Sequence, residues 1–302
     1  MNNKFIKQDV MPTVAALIWG TAFVAQSVCT DYVPPFAFNA IRSLIAFVLL
    51  IFISKAFDHV TIRHGGTPPV TKKRDLILGG ICTGTFLAIA SNLQQAGLAD
   101  TAAGKAGFIT ALYVVLVPIL GVFLKRRASA QIWVSVAIAV AGLYLLCITG
   151  AFTLQTSDIY LLLCAFFFAC QIMSIDHFSV NVAGIKLSCL QFFVAGVISA
   201  ILSAIFETPS VAGIVHCIWP ILYVSVFSSC VAYTLQILSQ KGSDPTVVTL
   251  LLSLESVFSV LAGAIILGDR LSAREYLGCV LMFAAVVLAQ VPLSFHKRKK
   301  QA

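Results

Sequence analysis

Ten apolar stretches, each about 20 residues long, follow one another along the chain with short polar segments between them. A stretch of this length can cross the hydrocarbon core of a bilayer as an α-helix. None of them shows the alternation of apolar and polar residues that marks the strands of a membrane β-barrel. The pattern therefore predicts an all-α polytopic membrane protein with ten transmembrane helices. The predicted spans are Val10–Thr30, Pro35–Phe57, Leu76–Leu98, Thr101–Leu124, Ala130–Thr149, Asp158–Phe178, Leu187–Phe206, Cys217–Ser239, Pro245–Leu267 and Arg274–Leu293.

The composition of the 302 residues agrees with this prediction, because 59% are hydrophobic, only 11% are charged and the mean hydropathy is +0.97. Such a chain is too apolar for a soluble globular protein or a disordered one. The longest connection, Asp58–Asp75, contains Gly-Gly and Pro-Pro pairs, which predict a turn-rich loop and no additional domain. All nine cysteines fall in apolar stretches without a CxxC pair, so we expect buried thiols and no metal site.

Basic residues are distributed unevenly between the polar segments. If the N-terminus is cytoplasmic and the chain crosses ten times, sixteen of the 20 lysines and arginines fall on the cytoplasmic side. The sixteen are Lys4, Lys7, Lys55, Arg63, Lys72, Lys73, Arg74, Lys125, Arg126, Arg127, Lys186, Lys241, Lys297, Arg298, Lys299 and Lys300. The asymmetry predicts that both termini are cytoplasmic. It also explains the net charge of +8 by topology and contact with the lipid bilayer, so we expect no nucleic-acid partner.

The two halves of the chain resemble each other. Thr101–Leu146 aligns without a gap with Asp244–Ala289, and the loop residues give the most informative match. They are Arg127 with Arg270, Ser129 with Ser272 and Ala130 with Ala273. Five helices per half make the second half enter the membrane from the opposite side, which predicts an inverted repeat with residues 1–149 and 150–302 as its units. This plan is common among secondary transporters, where the substrate site lies near the midplane between the repeats.

Several segments resemble the EamA-type members of the drug/metabolite transporter superfamily. They are IWGTAFVAQ, NAIRSLIAF, AGKAGFITALYVVLVPILGVFLKRR and the long stretch from VAYTLQILSQ to LGCVLMF. The resemblance implies ten helices, a central cavity between the halves, and export or exchange of small metabolites, often amino acids. The chain departs from the family pattern at Glu255-Ser256, where many relatives have Glu-Pro, and at Gly268-Asp269-Arg270, where many have Gly-Glu-Arg.

Three charged residues lie within the predicted helices at least one turn from either end, where a charge costs about 2.5–3.5 kcal/mol on insertion scales. Glu255 is about ten residues into the ninth span, near mid-membrane. It is either a proton- or cation-responsive group of the cavity or a structural ion-pair partner of Arg42 or Lys105. Arg42 either binds a substrate carboxylate or braces neighbouring helix ends. Lys105, one turn into the fourth span, has a stem long enough to reach the outer interface.

Uncharged polar and aromatic residues recur at helical spacing in both halves. Lipid offers an amide no hydrogen bond, so these faces are expected to point inward. Each residue alone is explained by helix–helix hydrogen bonding, but the set predicts a polar cavity that binds a small molecule. The predicted substrate-binding residues are Trp19, Phe23, Gln26, Arg42, Gln95, Thr110, Tyr113, Tyr233, Gln236 and Glu255, with Glu255 also the candidate for coupling.

These observations predict a secondary-active transporter in a bacterial inner membrane that works by alternating access. The resemblance favours efflux of a small metabolite, driven by its own gradient, by a counter-substrate or by protons. The chain has no Walker A or dinucleotide motif, and no HExxH or GxSxG, so we expect no cofactor and no enzyme activity. The alternative is a membrane protein that does not transport, such as a receptor or an assembly partner.

Overall fold

The computed structural model describes residues 6–67, 69, 71–101, 103–126, 128–148, 155–267 and 272–290, and these ranges are helical apart from turns and short connections. They contain ten helices long and apolar enough to cross a membrane. The first five are α1 (Ile6–Cys29), α2 (Pro35–Arg63), α3 (Lys73–Asp100), α4 (Ala103–Ala111 and Tyr113–Phe123) and α5 (Ala130–Cys147). The others are α6 (Thr156–Phe178), α7 (Gly184–Phe206), α8 (Ile218–Gln240), α9 (Pro245–Leu252 and Glu255–Leu267) and α10 (Ala273–Gln290). The predicted fold class and helix number are therefore confirmed.

The predicted loop Asp58–Asp75 is too long at both ends, because α2 continues to Arg63 and α3 begins at Lys73. Nothing in the sequence breaks α2 before the glycine pair that follows it. Gly65 has φ +75° and the Gly66 N–H donates to the Thr61 carbonyl, so the glycines end α2 in a Schellman turn. A second difference is the short helix Val211–His216 between α7 and α8, which the apolar pattern did not predict.

Local sequence explains where several helices begin. The Ser129 hydroxyl accepts a hydrogen bond from the Ile132 N–H at the start of α5. The Asp244 carboxylate accepts one from the Thr246 N–H at the start of α9, directly before Pro245. Each side chain satisfies a backbone donor that has no partner within its helix, and such caps stabilise a helix end.

Helices of the two sequence halves pack against each other throughout the bundle. The most extensive contacts join α2 to α7, α3 to α6, α5 to α10 and α3 to α7. Glycines allow the closest approach at the crossing of α5 and α10. A Cβ atom on Gly142 would lie 3.0 Å from the Gly278 carbonyl oxygen, and one on Gly278 would lie 2.8 Å from the Gly142 carbonyl oxygen. Helices of the two halves are therefore neighbours throughout the bundle and do not form two separate groups.

Two helices are interrupted at corresponding positions of the repeat. The α-helical pattern of α4 breaks at Leu112, and that of α9 breaks at Ser253 and Leu254. In the ungapped alignment Leu112 corresponds to Glu255, the first residue after the break in α9. In α9 the Ser253 hydroxyl donates to the Leu250 carbonyl and competes with the helical ladder. Paired breaks of this kind suit an inverted repeat, in which discontinuous helices meet near the middle of the membrane.

The two ends of the bundle differ in charge. Lys72, Arg126, Lys186 and Lys241 lie at one end, where they contact Asn181, Asp176, Asp58 and Val182 respectively. This is called the Arg126 end, and the opposite one, which contains Lys105, the Lys105 end. Large apolar side chains are exposed between the ends, for example Phe52, Phe166 and Phe283. This apolar surface is what contact with lipid requires.

Candidate functional site

A cavity of about 480 Å³, a volume that includes the open space at its mouth, lies inside the bundle and is lined by charged, polar, aromatic and apolar side chains. Helices from both sequence halves form its wall: α1, α2, α3 and α4 from the first, and α6, α8 and α9 from the second. The lining residues are Trp19, Phe23, Gln26, Arg42, Gln94, Thr110, Tyr113, Phe168, Gln171, Ile172, Ser228, Tyr233, Gln236, Leu252 and Glu255. We call this space the central cavity.

Nine of the ten predicted substrate-binding residues line the central cavity, and Gln95 does not. Its amide instead donates to the Gln26 carbonyl at 3.3 Å, a contact between α3 and α1. The neighbouring Gln94 takes the position facing the cavity. Adjacent residues of a helix point about 100° apart, so the polar run in α3 did not by itself reveal which amide faces inward.

Arg42 is only 2% exposed, and no carboxylate of the described residues forms an ion pair with it. Its Nη1 donates to Gln26 Oε1 at 3.1 Å, and the guanidinium carbon lies 6.0 Å from the centre of the Phe38 ring. Its Nε has no hydrogen-bond partner among the described residues. Part of the guanidinium therefore contacts a neighbouring helix and part is available to another group.

Glu255 is the first residue of the second segment of α9 and is 4% exposed. Its Oε1 accepts a hydrogen bond from the Tyr113 hydroxyl at 3.1 Å. The expected ion pair with Arg42 or Lys105 is not found within the described ranges. Both interrupted helices thus contribute polar groups to the cavity close to their breaks, Tyr113 from α4 and Glu255 from α9.

Lys105 does not simply extend towards the interface, because its Nζ lies 2.6 Å from Oδ2 of Asp158 in α6. Asp158 is fully buried, and the same oxygen accepts the Gln155 N–H at 2.7 Å. The sequence offered no signal for this pairing, since the two residues are 53 positions apart.

Tyr233 joins the two charged residues across the cavity. Its ring packs edge-on against Trp19, with ring centres 4.8 Å apart, and its hydroxyl lies near both Arg42 and Glu255. The Trp19 indole N–H points to the Ser228 carbonyl at 3.4 Å. These contacts tie α1 to α8 at the cavity wall.

In α8, Ser228 lines the central cavity. Regular α-helical spacing would instead place Ser225 and Ser229 on the face of Tyr233 and Gln236. The reason is the π-helix from Val224 to Ala232. Its wider turn places a residue above the one five positions earlier, which brings Ser228 below Tyr233.

Six lining residues were not predicted: Gln94, Phe168, Gln171, Ile172, Ser228 and Leu252. Gln171 had a usable signal, because it is an amide in the middle of an otherwise apolar stretch. Its Nε2 donates to Gln191 Oε1 at 3.2 Å, and its own Oε1 has no partner in the described part of the chain. The apolar lining residues gave no signal in the sequence, because membrane helices carry apolar side chains both towards lipid and towards a cavity.

Ten membrane helices, seven of which line the central cavity, give a polytopic membrane protein of a plan that solute transporters share. The chain belongs to the EamA-like transporter family, whose sequence pattern matches residues 8–148 and 155–290. The two matched stretches fit the inverted repeat.

The chain is also similar to one curated protein and to one solved structure. An uncharacterized transporter of Archaeoglobus fulgidus is 30% identical over 294 residues, which are 95% of this chain and 87% of the relative. A protein of known crystal structure matches with a TM-score of 0.75 and 17% identity, over 93% of this chain and 96% of that one. The first likeness supports a membrane transporter, and the second shows the fold alone.

Proposed function

We propose that this transporter is secondary-active and moves a small, amino-acid-like metabolite by alternating access through the central cavity. The observation that carries the proposal is the charge content of the cavity. Arg42 and Glu255 come from opposite halves, line the same space, and have no ion-pair partner among the residues described. Isolated ionisable groups inside a membrane protein mark substrate or ion pathways. A solute with one carboxylate and one ammonium would neutralise both.

Arg42 is assigned to the carboxylate. A guanidinium presents a rigid fork that fits two carboxylate oxygens, and the Nε of Arg42 is without a described partner. Its contact with Gln26 would hold the side chain in place before the substrate arrives. The other lining residues proposed for substrate binding are Trp19, Phe23, Gln26, Thr110, Tyr113, Tyr233 and Gln236. Gln95 would act indirectly, through Gln26.

Glu255 is assigned to coupling. Its carboxyl can bind a proton or the ammonium of a substrate, and a carrier that exchanges the two would link transport to the proton gradient. Substrate exchange or the substrate's own gradient would serve equally as the driving force. Export is the proposed direction, on the strength of the family resemblance.

The proposed setting is a bacterial inner membrane with both termini in the cytoplasm. The basic segments gather at the Arg126 end, which the positive-inside rule assigns to the cytoplasm.

Counterflow into proteoliposomes tests the proposed function. Purified protein is reconstituted, loaded with one unlabelled amino acid or amine at a time, and supplied with the labelled compound outside. Saturable accumulation of at least one zwitterionic compound is expected, while protein-free liposomes show none. A protein that only binds would be stabilised against heat by a compound without carrying it, and that result would favour the receptor alternative.

A further inference from the structure

α4 and α6 are joined by an ion pair at each end of the bundle. At one end Lys105 Nζ lies 2.6 Å from Asp158 Oδ2, and at the other Arg126 Nη1 lies 2.5 Å from Asp176 Oδ2. In both pairs the cation belongs to the first sequence half and the carboxylate to the second. α4 and α6 also form part of the wall of the central cavity. We call the interface between α4 and α6 the seam. The two ion pairs therefore hold this seam together on either side of the central cavity.

The interruption of α4 at Leu112 assigns each ion pair to a different helical segment. Ala103–Ala111 carries Lys105, and Tyr113–Phe123 is followed by a turn at Leu124 and Lys125 that leads to Arg126. α6, which supplies both carboxylates, is one continuous helix. A break in a helix is a point about which its two segments can move separately. A hinge at Leu112 would let either segment leave α6 while the other stays bound.

A second cavity reaches inward from the Arg126 end and stops short of the central one. It is lined by Val117, Pro118, Gly121, Arg126, Ala128, Met173, Ser243, Asp244, Pro245 and Thr246. Val117 is one helical turn from Tyr113 of the central cavity, so about 6 Å of α4 separates the two spaces. On α6 the neighbouring residues Ile172 and Met173 face one cavity each. A small movement of the second α4 segment would join the cavities.

α2 and α7 are also tied at both ends, but neither is interrupted. Lys186 Nζ lies 2.8 Å from Asp58 Oδ2, and the Glu207 carboxylate accepts the Phe36 and Ala37 N–H groups, each at 2.8 Å. These helices share extensive contacts along their length. We therefore expect α2 and α7 to stay together during transport. The Lys186–Asp58 ion pair is a matched control for the Lys105–Asp158 and Arg126–Asp176 ion pairs.

We propose that the Lys105–Asp158 and Arg126–Asp176 ion pairs are the two gates of the transport cycle. Breaking one pair lets its α4 segment leave α6 and opens the central cavity to that end, while the other pair keeps the opposite end closed. The inference rests on the proposed alternating access. The gates differ in strength: Asp158 is fully buried, whereas the Arg126 side chain is 49% exposed, so the Arg126 gate opens more readily.

A cysteine at the wall of the central cavity measures both gates. Ile172→Cys is introduced, and a charged, membrane-impermeant methanethiosulfonate is applied to intact cells or to inside-out vesicles. Peptide mass spectrometry then reports the labelling rate of residue 172 apart from the nine native cysteines. Because the reagent reaches the membrane from one face at a time, the rate reports which end of the cavity is open.

Each gate variant is expected to raise labelling from one face only, and the two variants from opposite faces. Asp158→Asn and Arg126→Gln should each increase the rate about tenfold, which corresponds to about 1.4 kcal/mol in favour of the open state. Asp58→Asn should leave both rates within about twofold of the parent, because α2 and α7 do not part. The charge swap of Arg126→Asp with Asp176→Arg should restore the parental rate.

Three results would refute the proposed gates. They are a gate variant that raises labelling equally from both faces, an increase with Asp58→Asn, and a charge swap that does not restore the parental rate. Lys105→Gln must act in the same direction as Asp158→Asn, which guards against a variant that misfolds. The buried Cys217, away from α4 and α6, must stay unlabelled, since unfolding would expose it. No substrate is needed for this assay. Counterflow in the parent without face-specific labelling refutes the gates alone, whereas face-specific labelling without counterflow refutes the proposed substrate class.

Discussion

Replacing Arg42 by glutamine separates a role in substrate binding from a role in holding helices together. The guanidinium is 2% exposed, has no ion-pair partner in the described part of the chain, and donates one hydrogen bond to Gln26. A glutamine at position 42 keeps a neutral amide donor, placed about where Nε of the arginine lies. It cannot replace the charge or the fork that the proposed carboxylate requires.

The expected loss of affinity follows from the strength of a hydrogen bond to a charged group, about 1.5–3 kcal/mol. This corresponds to an increase in Kd of roughly 10- to 150-fold. At a ligand concentration of 100 times the parental Kd, binding stabilises the parent by about 2.7 kcal/mol. A tenfold weaker variant would gain about 1.4 kcal/mol, and a hundredfold weaker one about 0.4 kcal/mol.

The stability of the ligand-free protein should change little or rise. A buried charge without a partner opposes folding, so its removal offsets the lost contact with the Phe38 ring. Thermal unfolding of the parent, Arg42→Gln and Arg42→Lys, with and without the amino acid that gives the strongest counterflow, measures both quantities. Lysine keeps the charge without the fork and should give an intermediate affinity.

The reasoning is refuted if Arg42→Gln lowers the Tm of the ligand-free protein and leaves the ligand-induced shift unchanged. That result would assign Arg42 to bracing the ends of neighbouring helices. A loss of both quantities would be resolved by Arg42→Lys. If Arg42 braces the helices, Arg42→Lys should lower the Tm of the ligand-free protein, because lysine lacks the guanidinium donors. If Arg42 binds the substrate, Arg42→Lys should keep that Tm and weaken ligand binding.

Three further predictions concern neighbouring positions. Glu255→Gln should abolish the pH dependence of counterflow if this carboxyl carries the coupling proton, and an unchanged rate with an unchanged pH profile would exclude it from coupling. Gln94→Ala should weaken ligand binding more than Gln95→Ala, because only Gln94 lines the cavity; equal effects in a binding titration would contradict that geometry. Gly20→Ala should destabilise the protein by about 1–3 kcal/mol, since its Cβ would lie 2.6 Å from the Glu255 carbonyl oxygen. Gly107→Ala is the matched control, with no atom within 4 Å of its Cβ, and a Tm below that of the parent there would contradict the packing.

The number and order of the helices could be read from the chain because each span must satisfy the same local requirement. About 20 apolar residues are needed to cross the bilayer, and that length is visible in any window. The predicted bounds were wrong where a turn, rather than the end of the apolar run, ends the helix. α2 extends past the last residue of the predicted span to Arg63, and the turn that ends it is set by Gly65 rather than by the end of the apolar run.

The candidate site was predicted at the level of residue types and less well at the level of rotation. Nine of the ten proposed residues line one cavity, yet Gln95 contacts α1, and Ser228 lines the cavity where regular α-helical spacing would place Ser225 or Ser229. A displacement of one residue turns a side chain by about 100°. The π-helix in α8 and the breaks in α4 and α9 change that rotation, and hydrophobic periodicity does not report them.

The sequence by itself determined the membrane class, the ten spans, the repeat and the unequal charge of the two ends. All of these depend on composition summed over a segment. Only the tertiary structure decided which charges are paired. Lys105 and Asp158 are bound across 53 residues, and Arg126 and Asp176 close the other end of the same seam. Arg42 and Glu255 share a cavity without pairing to each other. The physical reason is that an ion pair depends on a few ångströms between side chains of distant helices, and helix packing alone sets that distance.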